Sequence, residues 1–321
     1  MKILLVDGSN LSRIHFAANP ALDEDGNPSG IIKGFLAAMS RVNKLYSSQK
    51  IVVFFDGPGG SMQRRALYKE YKAGRKARVV VGQQYQFGSA AAAEQNYNWQ
   101  VDITSQFLDY CGINVITTDS YETDDGIAYV TLSRPGDECL ILSCDKDFYQ
   151  LLSDRVSIYN PIMKQVLDTS WVTNKFEIHP SNWLFYRAVD GDPSDNINGV
   201  RGFGPKTLKK LFYLGSPKKI ELDVIIESLS LLKESTLDAS QKRLLKRLEE
   251  LSANMDLLKR NWKLMNLSDP IMSLSHKEKI DYQLDNFKPS LKQKNFYIEM
   301  KKLGLGINVM MPNEFMRLTK A

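Results

Sequence analysis

The chain has 321 residues, of which 43% are hydrophobic and 25% are charged, and its formal net charge is +5. This balance is typical of a globular protein of about two domains and excludes a disordered or fibrous chain. The apolar runs are much shorter than a membrane span, and three cysteines without CxxC spacing argue against a disulfide framework. The N-terminus reaches an acid at residue 7, too early for a secretory signal. We therefore expect an intracellular, cytoplasmic protein with no membrane partner.

The first half of the chain alternates strand and helix patterns. Its apolar runs lie at 3–6, 51–55, 113–117 and 140–143, and helical patterns lie between them at about 30–47, 102–110 and 124–132. The runs are continuous, as strands covered on both faces require. This alternation predicts an α/β fold with a parallel sheet between helices.

The connection from 57 to 100 interrupts this alternation and is long for a loop. We expect short helices in it, one of them at about 62–74. Beyond residue 178 strand patterns vanish, and helical patterns lie at about 180–189, 206–214, 224–233, 240–265 and 290–302. These patterns predict a first domain at 1–178, with an insertion at about 60–100, and an all-α second domain at 179–321.

Charge is distributed unevenly between the two halves. Residues 1–200 contain 19 Lys and Arg against 23 Asp and Glu, whereas residues 201–321 contain 23 against 14. This asymmetry indicates an acidic site joined to a basic surface that meets a polyanion. A solvated basic helical face would have the same composition.

Acidic residues follow the predicted strands, where the carboxyl ends of a parallel sheet form its ligand-binding edge. The acids that follow strands are Asp7, Asp56, Glu122, Asp124, Asp125, Asp145 and Asp147. Two more, Asp192 and Asp195, come from a later loop that precedes a glycine-rich segment, which makes nine acids in all. Asp124 and Asp147 open helices and can be explained as helix caps, but five acid-bearing segments at one edge cannot. Clustered carboxylates suit Mg²⁺ or Mn²⁺, and two such ions are typical of phosphodiester hydrolysis with water as nucleophile.

A glycine-rich segment, GVRGFGPKT at 199–207, raises the alternative of a P-loop ATPase. A P-loop follows a strand, however, and the upstream segment NWLFYRAV predicts a helix. A turn between two helices fits better, with backbone N–H groups that contact a DNA phosphate. The residues assigned to this DNA contact are Gly199, Gly202, Gly204, Lys206, Thr207, Lys209 and Lys210.

Several motifs together resemble the flap endonuclease or 5′-nuclease family, in its bacterial and phage branch. They are VDGSNL at 6–11, FDGP at 55–58, YKEYKAGR at 68–75, YETDD at 121–125, LSCDKDFYQLL at 142–152 and GDPSDNINGVRGFGPKT at 191–207. The resemblance covers about residues 1–215. It implies a PIN-like nuclease domain, a helical arch over the site and a helix–three-turn–helix domain that binds duplex DNA.

The resemblance also implies a ligand set for two metal ions. The first ion would be held or oriented by Asp56, Glu122, Asp124, Asp145 and Asp147, and the second by Asp145, Asp192 and Asp195. Asp7 and Asp125 would support them through water. Thr123 stands where the family normally has alanine. The hairpin of the second domain would also hold a monovalent cation, often K⁺.

The insertion supplies the cations of the proposed site. Residues 64–78 contain seven Lys or Arg and one acid. If this segment is helical, Tyr68, Lys72 and Arg75 share a face. Lys72 and Arg75 match the family's arch cations and would act with Asp145 and Asp147 in catalysis. Further DNA contacts are assigned to Arg64, Arg65 and Tyr71, with Tyr68, Tyr71 or Tyr85 as base-stacking candidates. The bland alternative is a solvated basic loop.

The resemblance implies a structure-selective 5′ nuclease with flap endonuclease and 5′→3′ exonuclease activities. Its partners would be DNA with a 5′ flap or a single-strand/duplex junction, RNA–DNA hybrid primers and replication proteins. We expect a monomer that acts as a free-standing, phage-type enzyme. The alternative is a catalytically inactive protein that binds DNA junctions.

Overall fold

The computed structural model describes residues 1–73, 87–233, 237–305 and 314–315. Its sheet contains strands β1 (Lys2–Asp7), β2 (Lys50–Phe55), β3 (Asn114–Thr117), β4 (Glu138–Leu142), β5 (Val156–Asn160) and β6 (Gln165–Leu167). Their order is β3-β2-β1-β4-β5-β6. The first five strands are parallel, whereas β6 is antiparallel to β5. The predicted α/β class and parallel sheet are confirmed, but the prediction missed β5 and β6.

Helices cover both faces of the sheet, which explains the continuous apolar runs. In β1, Ile3 and Leu5 pack into one hydrophobic cluster, while Leu4 and Val6 pack into the other. All four side chains are at most 2% exposed. Because successive strand residues point to opposite faces, a strand buried on both sides must be apolar at every position.

The helices of the first half are α1 (Gly8–Ala18), α2 (Gly30–Tyr46), α3 (Met62–Leu67), α4 (Ala90–Tyr110) and α5 (Thr123–Ser133). The predictions for α2 and α5 agree within a residue or two, and α1 was missed. Helix α4 begins twelve residues before its predicted start, at an alanine run whose cap is Ser89. Helix α3 ends at Leu67, so the predicted helix to residue 74 is wrong over 68–73, which form turns.

Helices dominate the second half, as predicted. They are α6 (Thr169–Phe176), α7 (Trp183–Asp190), α8 (Pro205–Leu211), α9 (Val224–Lys233), α10 (Ala239–Ser252), α11 (Met255–Met265), α12 (Leu274–Asn286) and α13 (Gln293–Lys302). The predicted helix at 240–265 is divided near Asn254, and α6 and α12 were missed. Two-residue strands, β7 (Gly191–Asp192) and β8 (Ile197–Asn198), pair antiparallel after α7. No helix in the described ranges is long and apolar enough to cross a membrane.

The helical half packs directly on the sheet. One hydrophobic cluster joins Ile141 of β4 to Phe185 of α7 and Leu258 of α11. On the opposite face, Phe107 of α4 stacks edge-on against Phe296 of α13, with ring centroids 5.0 Å apart. Strand β1 lies between β2 and β4, so the chain leaves β1 toward one edge and later returns to its other side. Such a switch point opens a crevice at the carboxyl ends of the strands.

Candidate active site

A cavity of about 140 Å³ lies at this crevice, and its lining is strongly acidic. Its acidic lining residues are Asp7, Asp56, Glu122, Asp124, Asp145, Asp147 and Asp195, and its basic ones are Arg13, Arg64 and Lys72. Seven of the nine predicted acids therefore line one cavity. The other two, Asp125 and Asp192, are not among its lining residues and pair with arginines, as described below.

Asp7 lies at the centre of the crevice, where β1 ends and α1 begins. Its Oδ1 accepts a hydrogen bond from the backbone of Asn10 at 2.9 Å, and its Oδ2 accepts one from Ser143 Oγ at 2.9 Å. Burial, together with the charges of Asp56 and Asp145, raises the pKa of Asp7 to about 7, although these two hydrogen bonds act to lower it. Asp7 is therefore poorly neutralised by its protein neighbours.

Asp56 follows β2 and is held by the start of α5. Its Oδ1 accepts hydrogen bonds from the backbone N–H of Thr123 at 3.0 Å and from the Thr123 hydroxyl at 2.7 Å. The backbone N–H of Asp56 donates to Ser9 Oγ at 2.8 Å. The threonine that departs from the family pattern thus has a local role, because its hydroxyl orients this carboxylate.

Asp124, in the first turn of α5, and Asp145, which follows β4, both line the cavity. Asp145 caps the 3₁₀ helix Lys146–Leu151 through the backbone N–H of Asp147, at 2.8 Å. Burial raises the pKa values of Asp145 and Asp124, and mutual repulsion raises that of Asp124 further, with Asp145 and Asp7 as its main acidic neighbours. The helix-cap explanation does not account for Asp124, which accepts no hydrogen bond in the described part of the chain.

Both carboxylate oxygens of Glu122, by contrast, accept hydrogen bonds from protein side chains. Its Oε1 accepts hydrogen bonds from Ser61 Oγ and Lys72 Nζ, each at 2.6 Å, and its Oε2 accepts one from the Tyr71 hydroxyl at 3.0 Å. Burial alone would raise the pKa of Glu122, but the charges of Arg64 and Lys72 and these hydrogen bonds lower it to about 2. Glu122 is thus ionised and neutralised by the protein itself.

Arg64 forms a buried pair with Asp125. Its Nη1 and Nη2 donate to the two carboxylate oxygens at 2.5 and 3.0 Å, and its Nε donates to the carbonyl of Leu264. The two side chains are 4% and 0% exposed. Arg64 was predicted to contact DNA and Asp125 to support a metal. In the structure the two side chains pair with each other, and both predicted roles stay predictions.

A second arginine, which sequence reasoning missed, joins the last two acid segments. Arg187 of α7 donates from Nε to Asp147 at 2.8 Å, from Nη2 to Asp192 at 2.7 Å and from Nη1 to the Gly191 carbonyl at 3.1 Å. Burial raises the pKa of Asp147 to about 7 despite this charge. Burial acts to raise the pKa of Asp192, but hydrogen bonds from Ser194 and the charge of Arg187 outweigh burial and lower the pKa. The sequence did contain a signal for this role, because Arg187 is the one charged residue in the otherwise mostly apolar segment NWLFYRAV.

Other lining residues missed from the sequence lie on α1. Asn10 accepts a hydrogen bond from the backbone N–H of Cys144 at 3.2 Å, and Arg13 lies one turn further along the helix. Asn10 is the last residue of the VDGSN motif and Arg13 follows it by three residues, so the spacing of a helix that starts at Gly8 would have identified both. Burial raises the pKa of the Cys144 thiol, which disfavours the thiolate that a cysteine nucleophile requires.

The part of the insertion that reaches the cavity, residues 69–73, forms turns and not a helix. Lys72, with φ at 55°, brings its ammonium into the cavity, whereas Arg65 is exposed on α3. The predicted shared helical face of Tyr68, Lys72 and Arg75 is therefore wrong for the first two, and Arg75 lies outside the described residues, as does Tyr85. Tyr71 is 3% exposed, and its ring is not available to stack on a base. The Tyr68 ring is covered by the Arg260 guanidinium, 4.2 Å from its centroid.

The glycine-rich segment lies between two helices. Helix α7 precedes it and α8 follows, with Pro205 in the first turn of α8. No parallel strand enters this segment in the described residues, which argues against the P-loop alternative. A Cβ at Gly199 would lie 2.1 Å from the Asp190 carbonyl oxygen, and Gly202 has φ at 86°. The chain therefore needs glycine at both positions.

The basic residues of this segment differ in their surroundings. Lys206 and Lys210 are exposed and Thr207 is half-buried, whereas Lys209 is paired with Glu177 at 2.6 Å. Gly204 is open, because a Cβ there would meet no atom of the described residues within 4 Å. The predicted DNA contacts of these residues stay predictions.

Comparison with known proteins gives concordant results. The profile of the family described as "5'-3' exonuclease, N-terminal resolvase-like domain" matches residues 2–177. The chain is 32% identical over 213 residues to the thermostable DNA polymerase I of Thermus thermophilus, which covers 65% of this chain and 24% of the polymerase. It is 33% identical over 211 residues to the 5'-3' exonuclease of Aquifex aeolicus, which covers 64% of this chain and 68% of that protein.

Among solved structures, the flap endonuclease of bacteriophage T5, in a pseudo-enzyme-product complex with DNA and metal ions, has a similar fold. Its TM-score is 0.62 at 19% identity, over 95% of this chain and 100% of that chain. This likeness extends across the helical half, beyond the residues that the family profile matches. The chain spans about a quarter of the length of the polymerase relatives.

Proposed function

Because the chain belongs to the 5'-3' exonuclease family, we propose that it is a divalent-metal-dependent 5′ nuclease. It would hydrolyse DNA phosphodiester bonds near single-strand/duplex junctions, with both flap endonuclease and 5′→3′ exonuclease activity. The observation that carries this proposal is the convergence of seven acids from five chain segments on the cavity at the sheet's switch point. Water would be the nucleophile, because the described lining residues of the cavity include no histidine and burial raises the pKa of the Cys144 thiol.

The donor set supports a divalent cation. Asp7, Asp56, Asp124 and Asp145 face the cavity and form no ion pair with a basic side chain in the described ranges. Burial and repulsion by neighbouring carboxylates raise the pKa values of Asp7, Asp124 and Asp145, and a bound cation would stabilise the ionised form of these three. Oxygen-only donors fit Mg²⁺, which keeps several waters and needs only one or two direct carboxylate ligands.

The described residues contain no preformed cage of three acidic, histidine or cysteine side chains. We therefore propose that the carboxylates rotate toward the ions when these bind. We propose two Mg²⁺ ions, for which Mn²⁺ would substitute, with Asp56, Asp124 and Asp145 as ligands of the first. Glu122 would join that shell only after exchange with Lys72, and Asp147 and Asp192 would serve an ion only after exchange with Arg187. Asp195 completes the proposed second site. Bound divalent cations would supply Lewis acidity for water activation and would offset the charge of the phosphodiester.

The protein's own cations would orient the substrate. Lys72 Nζ lies between Glu122 and Asp195, at 2.6 and 4.0 Å, and is 16% exposed to the cavity. A phosphate entering the cavity would compete for this ammonium, which would then stabilise the charge that develops in the transition state. Arg75 is proposed for the same role on its sequence motif alone. Arg187 would hold Asp147 and Asp192 until substrate and metal enter.

We propose that duplex DNA binds beside α8. Lys206 and Lys210 are exposed there, and Arg247 of α10 adds a third cation, with its guanidinium 3.6 Å from a Cβ position at Gly202. Such contacts with phosphates give affinity without sequence preference.

Further proposals rest on the family resemblance. The hairpin would hold a K⁺ ion, the substrates would be 5′ flaps and RNA–DNA primers, and the partners would be replication proteins. The protein would be a monomeric, phage-type enzyme. The division at residue 178 is proposed because the family profile ends at 177.

The proposal is tested by cleavage of a 5′-flap duplex labelled at the flap end, with Mg²⁺ or with EDTA. Wild type is compared with Asp145→Asn, which removes one charge from the cavity with little change in shape. A short labelled product that needs Mg²⁺ and is lost in the variant supports the nuclease. Binding of the flap without any cleavage in Mg²⁺ or Mn²⁺ would contradict it and would support the inactive junction-binding alternative.

A further inference from the structure

The base of the insertion is held against the loop that carries the last two acids. We call residues 68–73 the insertion root and residues 192–198 the acid loop. The backbone N–H of Lys72 donates to the carbonyl of Asp195 at 2.8 Å, and the side-chain amide of Asn196 donates to the carbonyl of Glu70 at 2.9 Å. The Tyr71 hydroxyl, which lies 3.0 Å from Glu122 Oε2, shares its single proton with Asp195 Oδ2 at 3.1 Å. Two hydrogen bonds and this shared one thus join two segments that are more than 120 residues apart.

The two residues at the centre of this contact share an unusual backbone conformation. Lys72 has φ at 55° and Asn196 has φ at 60°, both in the left-handed region. Asparagine tolerates this region well, whereas lysine does so less often and at a cost. Such a conformation persists when surrounding contacts determine it, and the hydrogen bonds to Lys72 and Glu70 are those contacts here.

The contact also determines where the Lys72 ammonium lies. With its backbone N–H fixed to the acid loop, the side chain reaches across to Glu122 at 2.6 Å. The Asn196 side chain faces the insertion root instead and is not part of the cavity lining. Asn196 therefore acts on the cavity through the backbone of residues 70–72.

We propose that Asn196 is a positioning residue, which ties the insertion root to the acid loop so that Lys72 is delivered to the substrate phosphate. This inference rests on the proposed nuclease function. It predicts that Asn196 and Lys72 act as one unit. Loss of the Asn196 amide would remove much of the benefit of Lys72, although the two side chains have no contact among those described.

The test is a double-mutant cycle on single-turnover cleavage of the 5′-flap duplex at saturating Mg²⁺ and saturating enzyme. Asn196→Gly keeps access to the left-handed backbone and removes the amide donor. We expect Asn196→Gly to slow cleavage roughly tenfold and Lys72→Met to slow it about 100-fold in the wild-type background. In the Asn196→Gly background, Lys72→Met should slow cleavage by only about tenfold.

Lys164→Gly is the matched control, because Lys164 also has a left-handed φ, of 54°, on the exposed turn between β5 and β6. It should cleave at the wild-type rate. If Asn196→Gly does not fold by circular dichroism, Asn196→Asp, which replaces the amide donor by an acceptor, takes its place in the cycle.

Equal costs of Lys72→Met in both backgrounds would overturn the inference, because a merely structural role of Asn196 would leave that ratio unchanged. Wild-type cleavage by Asn196→Gly would overturn it too. A wild-type protein that cleaves nothing refutes the nuclease function itself and is a distinct result.

Discussion

The ammonium of Lys72 lies 2.6 Å from Oε1 of Glu122, which joins the insertion root to the start of helix α5. The two side chains are 16% and 6% exposed, so the pair is shielded from bulk water. The pair neutralises one cavity acid and keeps a cation beside the acids that lack one. A phosphate group that displaces Glu122 from Lys72 would release a carboxylate for metal binding at the same time.

Lys72→Met is therefore expected to affect the chemical step more than binding. Removal of one charged donor to a developing negative charge slows the reaction by about 100-fold or more. The single-turnover cleavage rate should fall by that factor, while flap-DNA affinity in Ca²⁺ should stay within about threefold, because many other contacts bind the phosphate backbone. Lys69→Met, at an exposed position in the same segment, is the control and should cleave normally. An equal loss in both variants would mean a general charge effect.

Stability without metal should fall as pH rises. The folded-state pKa values of Asp7 and Asp147 are raised from 3.8 to about 7 by burial. Between about pH 4 and pH 7 the folded protein keeps protons that the unfolded chain has lost, so the free energy of unfolding decreases through this window. In EDTA, we expect the free energy of unfolding to be lower at pH 7.5 than at pH 5 by at least about 1 kcal/mol.

Urea denaturation at the two pH values measures this difference. Asp7→Asn should reduce it, whereas Asp154→Asn, at an exposed position, should not. Mg²⁺ should raise stability more at pH 7.5 than at pH 5, because protons compete with the metal for the carboxylates. A stability that rises with pH in EDTA would contradict the prediction.

Arg187→Ala should destabilise the metal-free protein. The change leaves Asp147 and Asp192 close together without their shared cation, at side-chain exposures of 18% and 17%. Breaking such a shielded network costs about 2–4 kcal/mol, whereas an exposed pair contributes about 1 kcal/mol or less. Arg247→Ala, which breaks the exposed pair with Glu250, is the control for chemical denaturation. If Mg²⁺ restores part of the stability of Arg187→Ala, the metal replaces the arginine charge.

Substitution by alanine should destabilise the protein strongly at one glycine of the hairpin and hardly at all at another. A Cβ at Gly199 would lie 2.1 Å from the backbone oxygen of Asp190, whereas Gly204 has φ at −75° and open space around its Cβ position. Gly199→Ala should therefore cost about 3 kcal/mol or more, and Gly204→Ala should change stability by less than about 0.5 kcal/mol. Thermal unfolding distinguishes the two. Similar melting temperatures would mean that the hairpin backbone is adaptable.

Duplex affinity should depend on Lys206 and Lys210 through charge alone. Each alanine substitution should reduce the slope of log affinity against log salt concentration by about one, for every duplex sequence alike. Fluorescence anisotropy with catalytically inactive Asp145→Asn measures this slope without cleavage. Lys164→Ala, on the exposed turn between β5 and β6, should leave it unchanged. An unchanged slope in Lys206→Ala would remove α8 from the duplex-binding surface.

Strands, acids and family were predictable because their signals are local. The run ILLV at 3–6 specifies a strand buried on both faces, and the acid that follows it necessarily lies at the carboxyl edge of a parallel sheet. Helix α12 was missed because its largely polar composition carries weak periodicity, and β6 because three residues are too few to show a period. Helix α3 was overextended because helix-forming residues continue past Leu67, while contacts with the acid loop turn the chain there.

The sequence by itself determined that carboxylates from four segments meet at one edge of an α/β sheet, because the carboxyl ends of parallel strands lie at the same edge. The fifth segment, the acid loop with Asp195, reaches this edge only through the packing of the helical half. Only the tertiary structure decided which of these acids are neutralised. Arg187 meets Asp147 across 40 residues, and Tyr71 meets Asp195 across 124. These pairings exist only once the helical half packs on the sheet, and they separate the acids that the protein already neutralises from those that are left for a cation.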